Sequence, residues 1–155
     1  MKEYRVAIPQ EDLYLIDFSQ EGQPGVGVVN AALHQFEPKV VFSWHLSVMI
    51  EFADLIDNGM PSKSERELVD PFCDRVDSLI KGTDGKRPNA LFLARLTWNE
   101  TRELIWRVHD PEAADGILQG IIEEHQFPRP FNYEMEHDPE WEKTKWHLKD
   151  AESNR

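Results

Sequence analysis

Alternation of apolar and polar residues predicts short strands in the first third of the chain. The segments 4–8, 13–18 and 25–33 each alternate, and they are separated by Pro9 and by a glycine-rich turn at 22–27. These three segments are strand candidates ahead of the main part of the fold.

The longest alternation predicts a central strand from Lys39 to Phe52. Its opposite face is more polar but carries little charge, which is typical of a strand that is partly covered on both sides. The apolar face consists of Val40, Phe42, Trp44, Leu46, Val48, Ile50 and Phe52.

Helical periodicity and alternation then follow each other twice. Ser62 and Glu65 fit a capping box ahead of an apolar stripe that reaches residue 80, and Pro71 either kinks this helix or starts a second segment. Residues 90–98 and 104–108 alternate on either side of a short turn and predict a hairpin. Asp110 and the proline after it predict a second helix, to about residue 125.

The stretch from Phe131 to Glu142 changes its period. Phe131, Tyr133 and Met135 fall on one side of a predicted strand, and the residues between them are polar or acidic. Asp138, followed by proline, is a typical helix start, so a short helix is expected to about Lys149. A disordered tail is expected over 151–155.

The element order predicts an α+β fold. We expect one domain over 1–150, built on a ferredoxin-like β-α-β-β-α-β two-layer sandwich over 39–137, with extra N-terminal strands and a short C-terminal helix. The sheet face opposite the two helices has no central aromatic residue, which argues against the base stacking of ferredoxin-like RNA binders. The N-terminal strands either cover this face or leave a ligand pocket there. The face is expected to carry Ser43, His45, Ser47, Arg95, Thr97, Glu103, Arg107, Asn132, Glu134 and Glu136.

Charge limits the classes of partner. The chain has 17 basic and 29 acidic residues and a formal net charge of −12. This charge repels nucleic-acid backbones and attracts a basic protein, although the same charge could serve solubility alone. Cys73 is the only cysteine and lies on an apolar helical stripe, so we expect a core residue. The N-terminus has no apolar targeting segment, which favours a cytoplasmic protein.

Residues that could carry chemistry form no strong motif. The six histidines show no metal-binding spacing, and the best local candidate is His137 beside Asp138, with Glu134 or Glu136. A nucleophile elbow, a Walker loop and a dinucleotide fingerprint are all missing from the sequence. We therefore expect no enzyme activity, no cofactor and no metal.

An ordered set of motifs resembles the bacterial family of unknown function DUF695. These motifs are Asn58-Gly59-Met60-Pro61 with Glu65, the hairpin Thr97 to Leu104, Asp110-Pro111-Glu112, and Phe131 to Glu134 running into Asp138 to Glu142. That family is similar to the type B regulators of ribonuclease E activity, which are small acidic proteins with a ferredoxin-like core. Those regulators bind the ribonuclease and do not catalyse, so the resemblance implies a cytoplasmic interaction module.

The resulting prediction is a non-enzymatic acidic protein-binding module that regulates a nuclease or another basic partner. One alternative is an immunity or antitoxin-type protein that neutralises a basic toxin. Another is a metal-dependent hydrolase around His137 and Asp138. The candidate partner-binding residues are Glu134, Glu136, Asp138, Glu140, Glu142 and Trp146.

Overall fold

The computed structural model describes residues 4–153, which form one antiparallel sheet of six strands together with three α-helices. No helix in this range is both long enough and apolar enough to cross a membrane. The strands are β1 Leu13–Gln20, β2 Gln23–Asn30, β3 Trp44–Glu51, β4 Ala90–Trp98, β5 Thr101–Val108 and β6 Phe131–His137. The helices are α1 Lys63–Lys81, α2 Pro111–Glu123 and α3 Lys145–Ser153.

The strand order in the sheet is β1-β2-β4-β5-β3-β6, and every neighbouring pair is antiparallel. The predicted β4–β5 hairpin is confirmed. Its turn residues Asn99 and Glu100 both have positive φ, 42° and 71°, as a tight hairpin turn requires. The two N-terminal strands extend this sheet beyond β4, so β1 and β6 are its edges.

One predicted strand is absent and the predicted central strand starts later than expected. Residues 4–12 contain no strand, because Tyr4 is held by side-chain contacts: its ring packs on Phe42 and its hydroxyl donates to the carbonyl of Pro88. The central strand starts at Trp44, because Lys39–Phe42 forms a 3-10 turn that buries Phe42. In both places packing in the core outweighs the local alternation.

Helices α1 and α2 cover one face of the sheet over β4, β5, β3 and β6. Pro71 lies on the exposed side of α1, which runs unbroken past it, and Cys73 lies in the core as predicted. This helix-side core comprises Leu46, Val48, Ile50, Phe52, Val69, Phe72, Cys73, Val76, Ile80, Ala90, Leu104, Trp106, Val108, Ala114, Leu118 and Ile121.

The second face of the sheet is also partly covered, so the expected two layers become three in places. The covering segments are residues 4–12, the short 3-10 turns Ala31–Gln35 and Lys39–Phe42, and α3. This second-face core comprises Tyr4, Ile16, Val29, Ala31, Leu33, Phe36, Phe42, Leu91, Leu93, Ala94, Leu96, Ile105, Trp141 and Leu148.

A β-bulge in β4 places two polar residues on the face opposite to the one predicted. The pairing with β5 shifts between Phe92 and Ala94, so the alternation changes parity after the bulge. Arg95 and Thr97 therefore lie on the helix side, where Arg95 pairs with Asp74 of α1 at 3.3 Å. The sequence pattern alone carries no sign of this extra residue.

Only half of the predicted capping box forms. Ser62 caps α1 by accepting from the Glu65 amide at 3.1 Å. The buried Glu65 carboxylate instead accepts from the Ala53 amide and from both nitrogens of an Arg129 fork. These hydrogen bonds, that of Arg129 first, lower the pKa of Glu65. Glu65 thus ties the start of α1 to the loop before β6.

Gly116 and Gly82 provide a matched test of whether each position needs the backbone freedom of glycine. A Cβ at Gly116 within α2 would meet no atom within 4 Å, so close packing on the sheet does not explain this glycine. Gly116→Ala should raise the free energy of unfolding by about 0.5–1 kcal/mol through helix propensity. The measurement is equilibrium unfolding in denaturant.

Gly82→Ala is the control, because its Cβ would also be free but its φ is +83°. This substitution should lower the free energy of unfolding, since L residues rarely adopt that backbone conformation. Equal effects at the two sites would contradict the assignment.

Candidate functional site

The acid-rich stretch begins as the predicted strand, which lies at an edge of the sheet. Phe131, Tyr133 and Met135 are partly buried against the helix-side core, while Glu134 and Glu136 are exposed on the other face. The alternation in β6 is therefore confirmed.

Asp138 is buried, only 8% exposed, and acts inside the fold. Its carboxylate accepts from the amides of Glu142 and Lys143 at 3.0 and 2.9 Å and pairs with Arg107 at 3.1 Å. Burial raises the pKa of Asp138, but the two amides and the Arg107 charge outweigh burial and leave the pKa lowered. Asp138 is therefore not placed to contact a partner.

Arg107 on β5 is the centre of this arrangement. It is fully buried, and besides the Asp138 carboxylate it donates to the carbonyls of Phe42 and Asp138 and to the Thr144 hydroxyl. Its guanidinium also lies 4.9 Å from the Trp141 ring centroid. Burial lowers the pKa of Arg107 to about 10, so it remains charged at neutral pH.

The closing helix starts later than predicted. The Asp138 carboxylate serves the short 3-10 turn Glu142–Thr144, and α3 begins only at Lys145. Trp141 has a left-handed backbone, φ 60°, and its indole nitrogen donates to the carbonyls of Lys39 and Phe42. Trp141 is buried in the second-face core and docks this segment there. Helix α3 includes 151–153, where a disordered tail was expected, and residues 154–155 lie outside the described part.

The remaining acids of the stretch are exposed and partly neutralised. Glu136 pairs with Lys143 at 3.0 Å and Glu142 pairs with Lys145 at 2.9 Å. Glu134 and Glu140 make no ion pair with another described residue. Two of the four exposed acids of this surface are therefore neutralised by neighbouring lysines.

Trp146, the predicted anchor, is 46% exposed at the start of α3. Its ring meets Phe18 of β1 edge-on, with the centroids 5.8 Å apart. It lies over the second face of the sheet, beside a cleft rather than on a flat acidic surface.

The metal-site alternative gains no geometric support. Within residues 4–153 no group of three His, Cys, Asp or Glu side chains is arranged to hold a metal ion. Asp138 is turned to Arg107, and the His137 ring packs near Trp44 with 4.8 Å between centroids.

A different exposed surface lies on the helix side of β1 and β2. There Leu13, Leu15 and Val26 are 53%, 81% and 47% exposed, and Val28 lies beside them. We call these four residues the β1–β2 patch. A cluster of large apolar side chains at this level of exposure is typical of an interaction site.

Acidic residues border the β1–β2 patch. Between it and α1 is a cavity of about 280 Å³ whose lining includes Glu11, Asp74 and Asp77. Lys81 pairs with Glu11 and Asp77, and Arg95 pairs with Asp74. The exposed Asp17 adds a further carboxylate on β1.

The family of the chain was identified by comparison with known protein families. The model of a family of unknown function, DUF695, matches residues 17–144, which is most of the chain. The chain belongs to the DUF695 family. No curated protein and no solved structure matches it significantly.

Sequence reasoning missed the most exposed apolar surface of this DUF695 chain. The alternation in β1 was visible, but it indicates one buried face without showing which strands the helices cover. The order of strands in the sheet supplies that information, and it does not follow from local pattern.

The Arg107–Asp138 pair gives a test of the structural role of the acid-rich stretch. Asp138→Asn should lower the free energy of unfolding by about 3 kcal/mol, because it leaves the buried Arg107 charge without its counter-ion. Glu142→Gln is the matched control, since it removes only an exposed pair and should cost at most about 1 kcal/mol. Both values come from denaturant unfolding at neutral pH.

The stabilisation contributed by Asp138 should depend on pH. The pKa of Asp138 is lower in the folded chain, so its contribution is present above the unfolded value of about 3.9 and is lost as pH falls through the folded value. The Asp138→Asn variant should lack this part of the acid sensitivity. Equal losses at Asp138 and Glu142 would contradict the assigned role.

Proposed function

We propose that this protein is a non-enzymatic protein-binding module whose partner is a basic protein. The observation that carries the proposal is the β1–β2 patch, where Leu15 is 81% exposed on an edge strand of the sheet. Exposed apolar edge strands offer both side chains and unpaired backbone groups to another chain.

The geometry of the layers explains why this patch is bare. Two packed helices, each about 10 Å wide, cover about four strands at roughly 4.8 Å spacing. The sheet has six strands, and α1 and α2 occupy the face over β4, β5, β3 and β6. On this face β1 and β2 therefore remain without a covering helix.

Charge favours a basic partner over a second copy. Each chain carries a formal charge of −12, so two copies repel each other while a basic surface is attracted. Of the carboxylates around the patch, those of Glu11 and Asp74 already pair with Lys81 and Arg95, so the exposed Asp17 on β1 is the one best placed to meet a Lys or Arg of the partner. The apolar centre would supply affinity, and the acidic rim would supply rate and selectivity.

The proposal also includes three predictions from the sequence: the type of core, the class of partner and a second contact zone. We propose a ferredoxin-like core over β3 to β6, supported by the strand order β4-β5-β3-β6 with both core helices on one face. The resemblance to ribonuclease regulators directs the first partner search to cytoplasmic nucleases. The exposed Glu134, Glu136, Glu140 and Glu142 remain a predicted second contact zone, whereas the buried Asp138 is left out.

The patch can be tested with polar substitutions that keep the fold. In pull-downs at low and physiological salt, the wild type should retain a basic protein, and Leu15→Ser should lose most of it because the exposed apolar centre is removed. Leu68→Ser on α1 is the matched control, since Leu68 is also an exposed leucine, 43% exposed, but lies outside the patch. The readout is the amount of the same retained protein for each variant.

Two outcomes would overturn the proposal. One is equal retention by the wild type and Leu15→Ser, or no retained protein in either salt. The other is a dimer in light scattering that Leu15→Ser converts to a monomer, which would assign the patch to a second copy of this chain.

A further inference from the structure

A cleft of about 370 Å³ lies on the second face of the sheet, opposite the β1–β2 patch, where α3 begins. This volume is in the range of small-molecule sites. Strands β1, β3, β4 and β5 form its floor, and α3 forms one wall. The lining residues are Phe18, Gln20, Met49, Leu96, Trp98, Thr101, Glu103, Trp146 and His147.

The aromatic walls of the cleft are held in place by backbone features. The Trp98 indole nitrogen donates to the carbonyls of Gln20 and Gln23, both at 3.2 Å. The Phe18 ring lies over Gly25, where a Cβ would collide with it, and meets Trp146 edge-on. The cleft therefore has three positioned aromatic rings.

Glu103 supplies the one carboxylate in this lining. Its Oε2 accepts from the Ser47 hydroxyl at 2.5 Å, and no Lys or Arg within the described residues pairs with it. His147, also in the wall, does not neutralise it, because burial lowers the pKa of His147 to about 4. Arg107, the buried cation on the same face of β5 as Glu103, is already paired with Asp138.

We propose that this cleft binds the ammonium group of a small organic amine. The cation lies at Glu103 and beside the indole rings of Trp98 and Trp146, and the apolar body of the ligand packs on Leu96 and Met49. Carboxylates and aromatic rings together are the chemistry that selects alkylammonium groups over anions and neutral molecules. This site is separate from the β1–β2 patch and does not depend on the proposed partner.

The test uses phenylethylamine as probe, with phenylethanol and phenylpropionate as neutral and anionic controls of similar shape. Calorimetry with the full chain should show binding of the amine and no measurable binding of the two controls. Glu103→Gln keeps an acceptor for Ser47 but removes the charge, and it should weaken amine binding about tenfold or more. Glu134→Gln, an exposed acid on the same face outside the cleft, should leave the affinity unchanged.

Trp146→Leu gives a second readout on an exposed residue and should weaken amine binding, because it removes one of the two indole rings beside the ammonium group. Leu15→Ser should bind the amine normally, which separates this proposal from the docking proposal. A lysine-containing peptide, tested beside the free amine, distinguishes a protein side chain from a small molecule as the source of the ammonium group.

The proposal is overturned if no amine binds, if phenylethanol binds as tightly as phenylethylamine, or if Glu103→Gln and the wild type have the same affinity. Tighter binding of the peptide than of the free amine would assign the cleft to a lysine of a partner and would overturn the small-molecule assignment.

Discussion

A buried charge governs the second face of this protein. Arg107 lies in one of the two central strands of the sheet with no exposed surface, so its guanidinium must find its partners inside the fold. Apart from the Phe42 carbonyl, it finds them in the chain that follows β6: the Asp138 carboxylate and carbonyl and the Thr144 hydroxyl. The segment that carries these groups also brings Trp141 over the guanidinium and leads into α3. The segment from Asp138 through α3, which we call the C-terminal layer, is thus organised around one cation.

The two faces of the sheet are covered by different elements, and each face has one region that is left uncovered. On one side two helices cover four strands and leave the apolar surface of β1 and β2 bare. On the other side α3 and the short 3-10 turns cover β1, β2 and β4, and the cleft remains where α3 begins. Both candidate sites follow from a six-stranded sheet that has too few helices to cover it.

The sequence pattern correctly predicted those features of the fold that depend on local periodicity. The β4–β5 hairpin, the two amphipathic helices, the alternation of β6 and the core position of Cys73 are all confirmed. The failures involve long-range contacts. The carboxylate of Glu65 turns to Arg129, and the β4 bulge moves Arg95 to the other face. Asp138 is part of the dense acidic run in the sequence, but its charge is used by a residue 31 positions away. Charge density in a sequence does not distinguish a docking surface from a buried ion pair.

Arg107 holds the C-terminal layer against the sheet. Hydrogen exchange of the Arg107→Met variant tests this role most directly, because this substitution keeps side-chain bulk and removes the charge. We expect faster exchange of the amides of Glu142 and Lys143, which donate to Asp138, and of the amides of α3, while the amides of α1 keep their protection. Unchanged protection of the C-terminal segment, or an equal loss throughout the chain, would contradict it.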